Sequence, residues 1–159
     1  MPSLRLKVGL DTSVLVALFL EEHGFHRTTV SVLERLQRQQ VQWVVSCHAL
    51  LECFSVLTRI PPPHRFTPEE AHRMLRDGFG ADAVIARVDG DLAWSAVEKM
   101  VTAGLAGGPV YDAVIAWSTF EAGAAVLLTW NPKDFARVAP AGLEVATPEE
   151  YTERGSRVH

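Results

Sequence analysis

Three acids in this 159-residue sequence sit where a side chain can reach a ligand. Asp11 follows the short apolar run Val8, Gly9, Leu10 and precedes two hydroxyls, Thr12 and Ser13. Glu52, within a helical pattern, is the only acid between Glu34 and Glu69. Asp112 stands just after a Gly-Gly-Pro loop, at the head of an apolar stretch. A further set, Thr129, Asn131 and Asp134, follows the apolar residues 125–128. Taken singly these residues decide little, since Asp, Thr and Ser before a helix are ordinary N-cap residues. Together they imply more. Carboxylates gathered in one cleft repel, and they are costly unless protonated or neutralised. The usual remedy is a hard divalent cation, Mg²⁺ or Mn²⁺, held by a few carboxylates together with water and substrate phosphate. Such a centre activates water for in-line attack on a phosphodiester and stabilises the leaving oxygen.

Whether the acids meet depends on the elements that carry them. Residues 8–10 read as a buried strand and 14–20 as a helix, which places Asp11 at a strand's carboxyl end. Residues 28–40 repeat Val30, Leu33 and Leu36 at helical spacing, and 41–45, with Trp43, form a second strand. Ser46 can cap the next helix, residues 47–60. Its apolar arc is Ala49, Leu50, Cys53, Phe54, Val56, Leu57 and Ile60, while His48, Glu52, Ser55 and Arg59 share another face. Three prolines, 61–63, stop it. Thr67-Pro68-Glu69-Glu70 is a capping box opening a helix that ends near Gly78, with Ala71, Met74 and Leu75 inward. Residues 83–88 read as a strand, and 91–105 as an amphipathic helix with Trp94, Val97 and Val101 in one stripe. After the break at 104–109 comes a helix apolar nearly all round, hence buried. Strands at 125–128 and 143–146 follow, then a second capping box, Thr147-Pro148-Glu149-Glu150. Alternating strands and helices predict a largely parallel sheet with helices on both faces. In such a sheet Asp11, Glu52, Asp112 and the Asn131–Asp134 pair gather at the carboxyl ends of the strands.

Bulk properties narrow the class. The length suits one domain, residues 1–153, with a frayed tail at 154–159, and no repeat or linker interrupts it. A net charge of −4 argues against loose nucleic-acid binding through a basic surface. It leaves room for an enzyme acting on nucleic acid, because bound cations offset local carboxylates. Cys47 and Cys53 lack metal-ligand spacing and read as small core residues. No apolar run reaches membrane-spanning length, and Asp11 interrupts the apolar stretch after Arg5 and Lys7, so a cytoplasmic protein is expected.

Three segments, LDTSVLVALF, SCHALLECFSVLTRIPPPHRFTPEEA and GGPVYDAVIAWSTFEAGAAVLLTWNPKDF, resemble the PIN-domain ribonucleases, specifically the VapC-type toxins of bacterial toxin–antitoxin pairs. The likeness extends over nearly the whole chain. It implies a three-layer α/β/α sandwich, a Mg²⁺- or Mn²⁺-dependent endoribonuclease, a homodimer, and inhibition by a cognate VapB-like antitoxin. By motif, the family's first three acids fall on Asp11, Glu52 and Asp112 as catalytic and metal-binding residues. Ser13 and Thr129 are expected to orient carboxylates or water. Arg59 and Lys133 are candidates for holding RNA phosphates.

The chain departs from the family at one position. Many relatives carry an acid two residues after the threonine that ends the late strand, where this chain has Asn131. Asp134 either takes over that role or simply opens a helix before Phe135. Two other readings compete with the nuclease. Phosphoaspartate chemistry of the phosphatase kind needs a second Asp two residues after the nucleophile, and position 13 is Ser. A PIN scaffold that binds RNA or a protein partner without cutting is the non-enzymatic alternative.

Overall fold

The computed structural model describes residues 4–156. Within them the chain runs β1 (Lys7–Leu10), α1 (Thr12–Phe19), α2 (His26–Arg38), β2 (Gln42–Ser46) and α3 (Cys47–Arg59). It continues through α4 (Pro68–Phe79), β3 (Val84–Ala86), α5 (Gly90–Ala103), α6 (Pro109–Glu121) and β4 (Val126–Leu128). The last elements are α7 (Pro132–Phe135), β5 (Glu144–Ala146) and α8 (Pro148–Ser156). The strands form one sheet in the order β3-β2-β1-β4-β5, and every pairing is parallel.

That order sets the layers. The chain steps outward from β1 to β2 to β3, then crosses back to β4 and on to β5. Because parallel crossovers are right-handed, the two directions of travel put their helices on opposite faces of the sheet. Helices α1, α3 and α4 pack in sequence on one side, and α5, α6 and α7 on the other. The expected α/β/α sandwich is therefore present. Its central strands are apolar on both faces, and Val8, Leu10, Val44, Val45, Leu127 and Leu128 are fully buried. Leu15, Leu57, Ile115 and Phe135 fill the layers between helices and sheet, each side chain contributing about 1.5–3 kcal/mol by leaving water.

Gly9 fixes how closely α6 approaches. A Cβ there would lie 3.3 Å from the Thr119 Cβ on α6 and 3.2 Å from Leu127 Cδ1 on β4. A bare glycine lets α6 lie down on the sheet, and α6 carries Asp112 at its other end. A buried hydroxyl pair, Ser118 Oγ to Ser46 Oγ at 2.9 Å, ties the same helix to the start of α3.

Both capping boxes form. Thr67 Oγ1 accepts from the Glu70 amide while the Glu70 carboxylate accepts from the Thr67 amide. Thr147 and Glu150 repeat the arrangement at α8. The Trp94, Val97, Val101 stripe of α5 faces solvent, with Val101 78% exposed, and the buried face is Leu92, Ala96 and Met100. Of the tail expected to fray, 154–159, residues 154–156 lie in α8, where Arg154 pairs with Glu144. Residues 157–159 of that segment lie outside the described residues. No helix among the described residues is long and apolar enough to cross a membrane.

Candidate active site

β1 and β4 are neighbours in the sheet, yet the chain leaves them in opposite directions. That makes the space beyond their carboxyl ends the topological switch point, where open α/β sheets take their ligands. Asp11 directly follows β1 and Thr129 directly follows β4. The Asp11 amide donates to Leu128 O at 3.0 Å, extending the ladder by one rung and fixing Asp11 beside the end of β4. With ψ at 159° Asp11 is still extended, and it also caps α1.

The Asp11 carboxylate is held by neutral donors. Its Oδ2 accepts from Ser13 Oγ at 2.8 Å, from Thr129 Oγ1 at 2.8 Å and from the Ser13 amide at 3.4 Å. The two hydroxyls serve the adjacent loop as well. Ser13 Oγ accepts from the Trp130 amide at 2.9 Å, and Thr129 Oγ1 accepts from the Asn131 amide at 3.0 Å. Ser13 and Thr129 thus both donate to the Asp11 carboxylate. Beside them Thr12 Oγ1 is buried with no hydrogen-bond partner among the described residues.

Two carboxyls are displaced upward from their ordinary range. Burial pushes Asp11 up, and this outweighs the hydrogen bonds from Ser13, Thr129 and the amides of residues 12 and 13, all of which pull it down. Asp112, in the first turn of α6, is pushed up to about 7, first by burial and then by the negative charges of Asp11, Asp134 and Glu52. Four acids from separate places in the chain thus share one electrostatic field. Asp134 belongs to it from the first turn of α7, where it is exposed. Asn131 caps α7 with its backbone alone, since its side chain makes no capping hydrogen bond.

The remaining sequence candidates fall as follows. Glu52 lies half-buried on α3, its Oε2 3.1 Å from His48 Nε2. Lys133 is exposed on α7 beside Asp134. Arg59 is exposed in the last turn of α3, seven residues past Glu52, or about 10 Å along the helix axis, so it stands apart from the acids. An apolar groove lined by Leu50, Phe54, Leu75, Phe79 and Ile85 includes none of the four acids.

The donor set is all hard carboxylate oxygen, which suits Mg²⁺ or Mn²⁺ and not a thiolate-seeking metal. Among the described residues no three His, Cys, Asp or Glu side chains are drawn together closely enough to ligate one ion. The Cys53 thiol, pushed up to about 12 mainly by burial, is an inert core residue.

Aromatic residues at the site were not anticipated. His48 stacks on Tyr111 with ring centroids 4.9 Å apart and 3° between planes, and Phe25 stacks on Trp130 at 4.0 Å and 7°. Position alone pointed to two of them. His48 is one turn before Glu52 on the same face, and Tyr111 adjoins Asp112.

A PIN-domain family model matches residues 8–140, and the chain belongs to the PIN-domain family. Within it the chain is of the VapC type. It is 34% identical over 120 residues to ribonuclease VapC40 of Mycobacterium tuberculosis, a match covering 76% of this chain and 84% of that relative. The crystal structure of M. tuberculosis VapC20, described as a sarcin-ricin loop cleaving toxin, shares the fold with a TM-score of 0.62 at 19% identity, covering 81% of this chain and 93% of VapC20. The DNA-bound VapBC structure from Salmonella typhimurium does so with a TM-score of 0.64 at 19% identity, covering 90% of this chain and 98% of that one.

Proposed function

We propose that this VapC-type ribonuclease is an endonuclease whose cleavage of RNA depends on Mg²⁺ or Mn²⁺, with Asp11, Glu52 and Asp112 as the metal-holding acids. One observation carries the reading: the Asp112 carboxyl is lifted to about 7 partly because Asp11, Asp134 and Glu52 press negative charge upon it. A cluster so arranged favours either protons or a cation, and near neutral pH it is poised between them. A cation held by Asp11, Glu52 and Asp112 would offset these carboxylates and would supply activation of water for attack on the phosphodiester. Asp11 is the fixed member, because three donors hold its Oδ2 in one orientation before any ligand arrives. Asp112 is only half-buried, and Glu52, also partly exposed, is paired with His48 Nε2. Asp134 supplies the fourth charge in place of the acid that Asn131 lacks.

The same reading includes control by a VapB-like antitoxin, action as a homodimer, and a cytoplasmic setting. Its support is the likeness to VapC40 and to the VapC protein of the Salmonella VapBC structure. The test is cleavage of end-labelled RNA by the purified protein. Cleavage is expected to disappear in EDTA and to return with added Mg²⁺ or Mn²⁺. Cutting that continues at full rate in chelator overturns the metal assignment.

A further inference from the structure

The two aromatic pairs flank the acids on different elements. His48 and Tyr111 join α3 to α6 next to Glu52 and Asp112. Phe25 and Trp130 join the start of α2 to the loop after β4, next to Thr129 and so to Asp11. In each pair the backing ring is anchored and the outer ring is partly open to solvent, with the tilted His23 imidazole beside Phe25 at a centroid distance of 5.9 Å. His48 is held at Glu52 Oε2, 3.1 Å away. Trp130 is held through its indole N–H to Thr29 Oγ1 at 3.0 Å and its amide to Ser13 Oγ at 2.9 Å. Tyr111 is 53% exposed and Phe25 is 46% exposed.

Rings that are exposed yet rigidly backed, with planes within 7° of parallel, are pre-organised to continue a stack. A planar ligand joining them loses little side-chain freedom in the protein. RNA supplies such rings wherever its bases are unpaired, and a duplex hides their faces within its own stack. The electrostatics point the same way. The chain carries a net charge of −4, so general phosphate attraction is weak and the bases are a further source of attachment.

We propose that Tyr111 and Phe25, backed by His48 and Trp130, are base-stacking platforms that hold RNA bases on either flank of the acid cluster. This rests on the ribonuclease reading and adds to it two specificity-determining residues.

The experiment uses the full chain and a short single-stranded oligoribonucleotide carrying 2-aminopurine, whose fluorescence is quenched by stacking. Binding is measured in EDTA to prevent cutting, and cleavage of the same RNA is followed with Mg²⁺. Tyr111→Ala and Phe25→Ala are each expected to weaken binding by about tenfold, to reduce quenching and to raise KM accordingly. Tyr111→Phe is expected to behave as the parent, because the ring face and not the hydroxyl is used. Phe25→Leu keeps an apolar cover over Trp130, so its loss of binding reports the missing ring and not a loosened fold. A duplex of the same sequence is expected to bind weakly and without regard to either substitution. The proposal is overturned if both alanine variants bind and cut within about twofold of the parent, or if duplex competes equally well with single strand. In that event cleavage by the parent leaves the ribonuclease reading standing. A parent that neither binds nor cuts RNA under any metal condition overturns both.

Discussion

Asp112→Asn is expected to stabilise the metal-free protein while abolishing RNA cleavage. The Asp112 carboxyl is raised from 3.8 to about 7 by burial and by Asp11, Asp134 and Glu52, whereas in the unfolded chain it titrates near 3.8. Between those values the folded protein binds more protons than the unfolded one. Stability therefore falls as pH rises through that window, and the whole loss is present above about pH 7. At full strength the displacement corresponds to about 4 kcal/mol. The side chain is only half-buried, so solvent screening reduces this to roughly 1–2 kcal/mol. For a chain of this length the gain appears as a rise in Tm of roughly 2–8 °C near pH 8, shrinking towards zero near pH 4. Asparagine keeps the shape and removes the charge. Thermal melts by circular dichroism in EDTA across that pH range provide the test. With Mg²⁺ added, the parent is expected to gain more stability than the variant, because linkage rewards only the state that binds the ion. A variant that melts at or below the parent near pH 8, or one whose gain is as large near pH 4, refutes the reasoning.

The fourth acid and the hydroxyls give two further predictions. Asn131→Asp is expected to tighten Mg²⁺ binding roughly three- to tenfold by adding a charge to the field, and Asp134→Asn to weaken it by a similar factor. Calorimetric titration decides both, and an Asp134→Asn variant with parental affinity removes that residue from the site. Thr129→Val keeps the volume but deletes a donor to Asp11 Oδ2 and an acceptor for the Asn131 amide, costing about 1–2 kcal/mol in urea unfolding. Because that hydrogen bond favours the ionised carboxylate, its loss raises Asp11 further, and the acidic limb of the pH–rate profile moves to higher pH. An unmoved limb in the Thr129→Val profile counts against Asp11 as the titrating group.

Much of the frame was legible because apolar runs declare themselves. Val8, Gly9 and Leu10 are apolar on both faces, so a buried central strand ending at Asp11 followed directly. The caps at Ser46, Thr67 and Thr147 were equally plain, since each signal is local. The face of α5 was not. Periodicity says which residues share a stripe but not which stripe turns inward, and α5 offers two. The inward one contains Ala96, whose small side chain allows α5 to lie close against α6, and the bulky Trp94 stripe is left outside. The choice between Asn131 and Asp134 was also beyond sequence spacing. It depends on where the single turn of α7 aims its first residues, and that turn brings Asp134 into the field of Asp112. The aromatic pairs escaped notice for the same reason, because each joins residues from distant parts of the chain.

What distinguishes this cluster from a structural ion pair is the kind of partner it has been given. Among the described residues no Arg or Lys forms an ion pair with Asp11, Glu52, Asp112 or Asp134. A guanidinium beside Asp11 would hold its carboxyl low and satisfy its charge permanently. Ser13 and Thr129 instead orient the carboxylate while leaving most of its charge unanswered, which is why burial still wins and the group stays raised. Neutral hydroxyls therefore separate two tasks that a cation from the protein would merge: fixing geometry and balancing charge. The first is completed by the fold. The second remains for a ligand, and the proposed divalent ion is what would fill it.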